Sequence, residues 1–282
     1  MMKMIEGLTS PHKYIYHYTR WANVILASRT LKFGMYTNTN DPKEAKDWRF
    51  DIGSNEGADV GLYDMPALAA WLSHEIKAST RLACFSLDTS PITGNHMEDI
   101  FNRGYCKPRM WAQYAARHTG ACLVFDFSKL ERLVQAQFSP GGLVFGGPMQ
   151  YFDRKLFMNT RDKAPFTINL DFLERLGKEE YARAHLLTHY KRFFFEKMKD
   201  WRNECEFRWV VLEKGTSGDL FLKFEDSLVG ILFGEDTDDS QIGELKEMTS
   251  DMSLEYMGLK WNNCSPWYDY RNPRYYIIAT ER

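Results

Sequence analysis

The sequence predicts an α+β fold, a mostly antiparallel sheet with helices packed on it. Segments with the two-residue period of strands intermix with segments of helical period, without the strict strand–helix–strand rhythm of a doubly wound sheet. The composition is globular: of 282 residues, 44% are hydrophobic, 15% aromatic and 26% charged. No repeat, low-complexity segment or linker interrupts it, so residues 1–282 are expected to form a single domain.

The elements follow in order. YIYHYT (14–19) alternates Tyr14, Tyr16 and Tyr18 against Ile15, His17 and Thr19, which puts the tyrosines on one strand face and His17 with Thr19 on the other. RWANVILASRT reads as a short helix and LKFGMYT as a second strand. NTNDPKEA is a turn-rich loop, in which Asn40 and Asp41 can bond their own backbone and Pro42 presets the turn. DMPALAAWLSHEIKAS is a helix capped by Asp64, and RLACFSLD a strand. Residues 89–107 read as an irregular loop. KPRMWAQYAARHTG is a helix between Pro108 and Gly120, and ACLVFDF a buried strand. SKLE forms a capping box, Ser128 to Glu131, opening the next helix. GGLVFGGPMQYF is a strand or hairpin whose glycines serve turns, and residues 169–200 hold one or two helices. NECEFRWVVLEKGTSGDLFLKF reads as a β-hairpin turned at KGTSG. LVGILFG is a buried strand, 238–250 a helix, and LEYMGLKW and PRYYIIAT closing strands.

Net charge and cysteines narrow the function classes. A formal charge of −2 creates no global field toward nucleic acid or an anionic membrane. There is no signal-peptide-like start and no run of 18 apolar residues, and the five cysteines lack CxxC pairing. The expectation is a cytoplasmic protein without membrane association, disulfides or bound metal.

Four motifs fall to ordinary explanations. GGLVFGGP lacks the Lys-Ser/Thr of a phosphate loop. HLLTH spaces His185 and His189 for a shared metal, but Leu186 stands where a zincin needs Glu and no third ligand is evident. The charges of 178–202, Lys197 among them, read as a solvated face. Trp111, Tyr114 and His118 share one helical face, the pattern of core packing. WRNECEFRWVV is more informative. In an extended chain Glu204, Glu206 and Arg208 line one face, and Cys205, Phe207 and Trp209 the other. Two carboxylates two residues apart repel each other, which a half-exposed strand has little reason to demand. In a cleft, one could stabilise a developing cation while the other orients an acceptor.

Taken in order, YHYT, NDPKE, CFS, MWAQYA, GACLVFDF and ECEFR resemble a widespread bacterial family of unknown function, over roughly residues 14–235. That family in turn resembles the ADP-ribosyltransferase-like superfamily. The resemblance implies a split, mostly antiparallel sheet and NAD as the substrate. It implies that Glu206 is catalytic and Glu204 acts on the acceptor, and that His17 and Thr19 bind the ribose beside nicotinamide. Tyr36, or else Tyr114, would stack on the nicotinamide ring, and Ser86 would support the catalytic glutamate. Tyr18 stands where poly-ADP-ribose enzymes have glycine, so any part it plays in pinning nicotinamide differs here. The expected activity is NAD-dependent ADP-ribosyl transfer to nucleic acid or protein, as in bacterial toxins and phage-defence effectors, with an antitoxin as a candidate partner. The alternatives are a NAD glycohydrolase, an RNA 2′-phosphotransferase rich in arginine near its pocket, and a non-enzymatic nucleotide sensor.

Overall fold

The computed structural model describes residues 13–91, 93, 95–153, 163–213, 215, 217–263 and 265–268. From the N-terminus they form β1 (Tyr14–Thr19), α1 (Ala22–Ser28), β2 (Thr30–Met35), α2 (Pro42–Ala45), β3 (Asp51–Gly53), α3 (Met65–Ala78) and β4 (Thr80–Ser86). Next come α4 (His96–Asp99), α5 (Pro108–Tyr114), β5 (Ala121–Asp126), α6 (Phe127–Phe138), β6 (Leu143–Pro148), β7 (Gln150–Phe152) and β8 (Thr167–Asn169). The rest are α7 (Leu170–Phe194), β9 (Glu196–Met198), β10 (Glu206–Leu212), β11 (Leu220–Lys223), β12 (Leu228–Phe233), α8 (Asp239–Met248), β13 (Glu255–Asn262) and β14 (Ser265–Tyr268). The closing strand expected at PRYYIIAT lies outside the described residues.

Ten described strands share one sheet, ordered β11-β2-β4-β1-β5-β12-β13-β14, with β10 and β6 branching from β4. Its ladders are antiparallel except β12 with β13. The sheet splits at β4. One edge of β4 pairs with β10 along its length. The other edge pairs with β2 at its start, through Leu82↔Gly34, and with β1 at its end, through Ser86↔Tyr16. Apolar cores form on both sides. Ile15, Phe85, Phe125 and Trp209 belong to one, and Tyr36, Leu72, Phe193 and Val210 to a second across β10. A third packs Tyr16, Tyr18 and Trp111 over β1.

Several local expectations change in tertiary context. Asp64 does cap α3, accepting from the Ala67 amide at 3.0 Å. At α6 the cap is Asp126 rather than Ser128: its carboxylate takes the Lys129 amide at 2.9 Å. α5 ends at Tyr114 because Ala116, Arg117 and His118 are all left-handed, at φ 48°, 54° and 71°. The hairpin at KGTSG does not form, since β10 pairs with β4 and β6 while β11 pairs with β2. Of the glycines of GGLVFGGP, Gly141 and Gly142 do serve the turn after α6, the Gly142 amide bonding the Phe138 carbonyl at 3.0 Å, but the second pair does not. Gly146 and Gly147 lie within β6, and a Cβ at Gly146 would meet the Trp209 indole nitrogen at 2.9 Å. They are small so that aromatic rings can pack onto the strand.

Candidate functional site

The two glutamates meet at a turn. Residues 199–204 form a 3-10 turn, and Cys205 follows in the left-handed region at φ 46° before β10 begins at Glu206. The stretch is therefore not extended through Glu204. The reversal at Cys205 still lets both carboxylates reach one ammonium: Lys197 Nζ lies 2.6 Å from Glu206 Oε2 and 3.0 Å from Glu204 Oε2. On the far side of Glu206, Arg208 Nε donates to Oε1 at 2.8 Å, and Arg208 Nη1 donates to Glu44 Oε1 at 2.7 Å. Toward the surface, the Tyr114 hydroxyl donates to Glu204 Oε1 at 2.8 Å and accepts from the Asn40 amide at 3.1 Å. A continuous polar row results, from the exposed Asn40 through Tyr114, Glu204, Lys197, Glu206 and Arg208 to the buried Glu44.

Its electrostatics are asymmetric. Three carboxylates, Glu44, Glu204 and Glu206, form ion pairs with two cations, Lys197 and Arg208, and at the inner end Glu44 also feels the buried Lys77, which donates to its carbonyl at 3.0 Å. At Glu206, burial opposes ionisation, but the charges of Arg208 and Lys197 hold the carboxyl down at about 2. Burial pulls Lys197 toward neutrality, and the surrounding carboxylates more than reverse this, so it stays cationic. At Glu204 burial wins over Lys197, with repulsion from Glu206 added, and its pKa is raised. Burial also raises the Tyr114 pKa, which keeps its hydroxyl a donor. Of the two neighbouring glutamates, negative charge is therefore less stabilised on Glu204, beside the half-buried Tyr114 and the exposed Asn40.

The supports come from separate parts of the chain. Ser86, fully buried, donates from Oγ to the Glu204 carbonyl at 2.9 Å, so the expected serine does lie beneath a glutamate of the pair. Tyr151 accepts the Glu206 amide at 2.9 Å. NDPKE works as a clamp: Asp41 caps α2, Lys43 donates to the carbonyls of Arg192 in the last turn of α7 and of Glu196 at the start of β9, and Glu44 receives Arg208. The half-buried Trp201 ring lies 5.2 Å from Lys197 Nζ and 5.0 Å from the Arg109 guanidinium.

Other expected members stand elsewhere. Register puts Tyr16, Ser86 and Glu206 on one face, and Phe85 and Phe207 on the other. His17, next to Tyr16, belongs to the second face, with its ring 5.4 Å from that of Phe85. His17 and Glu206 are thus two strand spacings apart, about 10 Å, but on opposite sides of the sheet. The expected pocket wall of His17 and Thr19 facing the glutamates is not formed. His17 instead sits at the split, Nδ1 3.1 Å from the Cys84 carbonyl, and burial lowers its pKa. A neutral ring donating through Nδ1–H satisfies both observations. Thr19 Oγ1 accepts the Trp21 amide at 2.9 Å as a turn cap. Tyr18 is 7% exposed, and its hydroxyl donates to the Gly104 carbonyl at 2.8 Å. Tyr36 is fully buried against Trp48 and Phe194 and donates to the Phe193 carbonyl at 3.0 Å, so it has no surface for nicotinamide. Tyr114 is the tyrosine at the glutamates.

Lys197 is the residue that sequence reasoning missed. It is 8% exposed, not part of a solvated face. The signal was its place in EKM, just after the helical period of α7 fails at Phe195. His185 is occupied structurally, its Nε2 2.9 Å from the Pro165 carbonyl, and among the described residues no three His, Cys, Asp or Glu side chains gather as metal ligands. Among the same residues no helix is long and apolar enough to cross a membrane.

A family model described as "Protein of unknown function (DUF2971)" matches residues 110–209, a span from α5 through Trp209 that holds Tyr114, Lys197 and both site glutamates. No curated protein and no solved structure matches the chain.

Proposed function

We propose that the protein is a NAD-dependent ADP-ribosyltransferase in which Glu204 is the carboxylate that meets the reacting sugar. The observation that carries this reading is the Glu204 carboxylate at the outer end of the buried row, held by Lys197 and Tyr114, where negative charge is least stabilised. Breaking the bond from ribose C1′ to the nicotinamide nitrogen sends the electron pair to the ring, which leaves neutral and needs no proton. The sugar becomes an oxocarbenium-like cation. A fixed carboxylate, buried as Glu204 is at 2% exposure, stabilises charge that exists only in that transition state. An acceptor nucleophile then bonds to C1′ and releases its proton.

In this reading Glu206 is a positioning residue. Locked between Arg208 and Lys197, it holds the ammonium that fixes Glu204 from one side while Tyr114 fixes it from the other. Ser86 anchors the backbone of the turn. The split at β4 supports an ADP-ribosyltransferase-like fold for the sheet. Arg208, engaged by Glu44 and Glu206, is not available to the phosphate that an RNA 2′-phosphotransferase would bind.

The test is nicotinamide release from NAD by purified protein, alone and with nucleic acid or protein added. Release that needs an acceptor identifies a transferase, and release in water alone a glycohydrolase. Glu204→Gln should lower release on the order of a hundredfold or more while leaving NAD affinity within a few-fold. Unchanged release by Glu204→Gln, or NAD binding by the native protein without turnover under every condition, would overturn the proposal.

A further inference from the structure

A cavity of about 420 Å³ lies at the other end of β10, where Leu212 and Glu213 meet the end of α3, the turn after α6 and the middle of α7. Leu212 is six residues from Glu206, about 20 Å along an extended strand, so the cavity is separate from the glutamate site. Its size falls in the range of small-molecule sites, about 300–1,000 Å³. Ile76, Ala182 and Leu186, all buried, make an apolar floor. The lining also includes Glu75, Glu179, Glu180 and Glu213, with Arg183 as its one cation, and Arg183 lies 3.9 Å from Glu180. Glu75 and Glu213 are half-buried rather than fully solvated, which strengthens their pull on a cation entering the cavity.

Apolar floor and anionic walls together select one chemistry. A neutral apolar ligand would leave half-buried carboxylates facing it without donors, and an anion would be repelled. A compact inorganic cation would leave the floor bare. We propose that this cavity binds a small organic polycation with an aliphatic body, of the linear polyamine class, its methylenes on Ile76 and Leu186 and its ammonium groups at Glu75 and Glu213. The proposal is independent of the NAD reading.

The experiment is calorimetric titration of spermidine into the full-length protein at low salt, with 1,8-octanediol as an uncharged chain of similar length. Saturable one-to-one binding of spermidine and none of the diol is expected. An exposed ion pair contributes up to about 1 kcal/mol, or about fivefold. The double variant Glu75→Gln/Glu213→Gln should therefore bind spermidine on the order of tenfold more weakly. Glu247→Gln, on α8 away from the cavity, should bind as the native protein does, which separates a site from diffuse attraction to an acidic surface. An unshifted thermal midpoint for the double variant without ligand shows that its fold is intact; if that midpoint falls, the single Glu213→Gln variant carries the same comparison. No saturable spermidine binding, equal binding of the diol, or equal weakening by Glu247→Gln would overturn the proposal.

Discussion

Glu206→Gln tests the buried charge row directly, because that carboxylate is held between two cations. Its native pKa of about 2 against an ordinary 4.5 means that ionised Glu206 stabilises the fold once pH exceeds the unfolded value. The sign follows from linkage: a depressed carboxylate contributes stability above its unfolded pKa and loses it as pH falls through the folded one. At about 1.4 kcal/mol per pKa unit, the contribution is about 3 kcal/mol at pH 7 and about 1 kcal/mol at pH 3. The range for removing one partner of a buried pair, about 3–5 kcal/mol, agrees. Gln keeps the shape but leaves Lys197 and Arg208 without the anion between them. Urea unfolding of the native protein and of Glu206→Gln at pH 7 and pH 3 reads the difference. The variant should be about 3 kcal/mol less stable at pH 7, with about 2 kcal/mol of that gap closed at pH 3. A pH 7 difference below about 1 kcal/mol, or a gap that stays constant from pH 7 to pH 3, would refute the argument, because a solvated glutamate behaves that way.

Glu204→Gln should act on stability with the opposite sign. Its raised pKa means that ionising Glu204 costs stability as pH climbs from 4.5 through the folded value, so the variant should gain on the native protein over that interval in the same urea titrations. Arg117→Gly should raise the thermal midpoint, since Arg117 is exposed at φ 54°. Relief of about 1–2 kcal/mol of left-handed strain exceeds the roughly 0.5–1 kcal/mol entropic cost of glycine, and a lower midpoint would contradict this. Gly104→Ala should destabilise by about 1–3 kcal/mol in chemical denaturation. The added Cβ would press on the Tyr16 ring and lie 2.7 Å from the Leu87 carbonyl, with little room to shift. A neutral result would mean that Gly104 does not lie against the Tyr16 ring.

Local chemistry carried a large part of the fold. Alternation in YIYHYT put the tyrosines opposite His17, and β1 keeps that division because the period of two belongs to the strand itself. Asp64 capped its helix because a cap needs only the backbone three residues on. Tyr114 and Ser86, two residues to which the resemblance points, both touch Glu204.

What failed were statements about partners. KGTSG reads as a hairpin because its two strands are adjacent in sequence, yet β10 is paired on both edges by β4 and β6, and β11 pairs with β2. The facing of His17 relative to Glu206 depends on the Tyr16↔Ser86 bridge, a pairing across 70 residues, and one step of register would have reversed it. Lys197 looked solvated because its neighbours on α7 are charged, and only the fold carries it under Trp201 and between two carboxylates. Residue type and local period establish which side chains can do ionic chemistry and how each element arrays them. The tertiary structure decided which of them lost water together, and in a buried row that loss sets each group's charge.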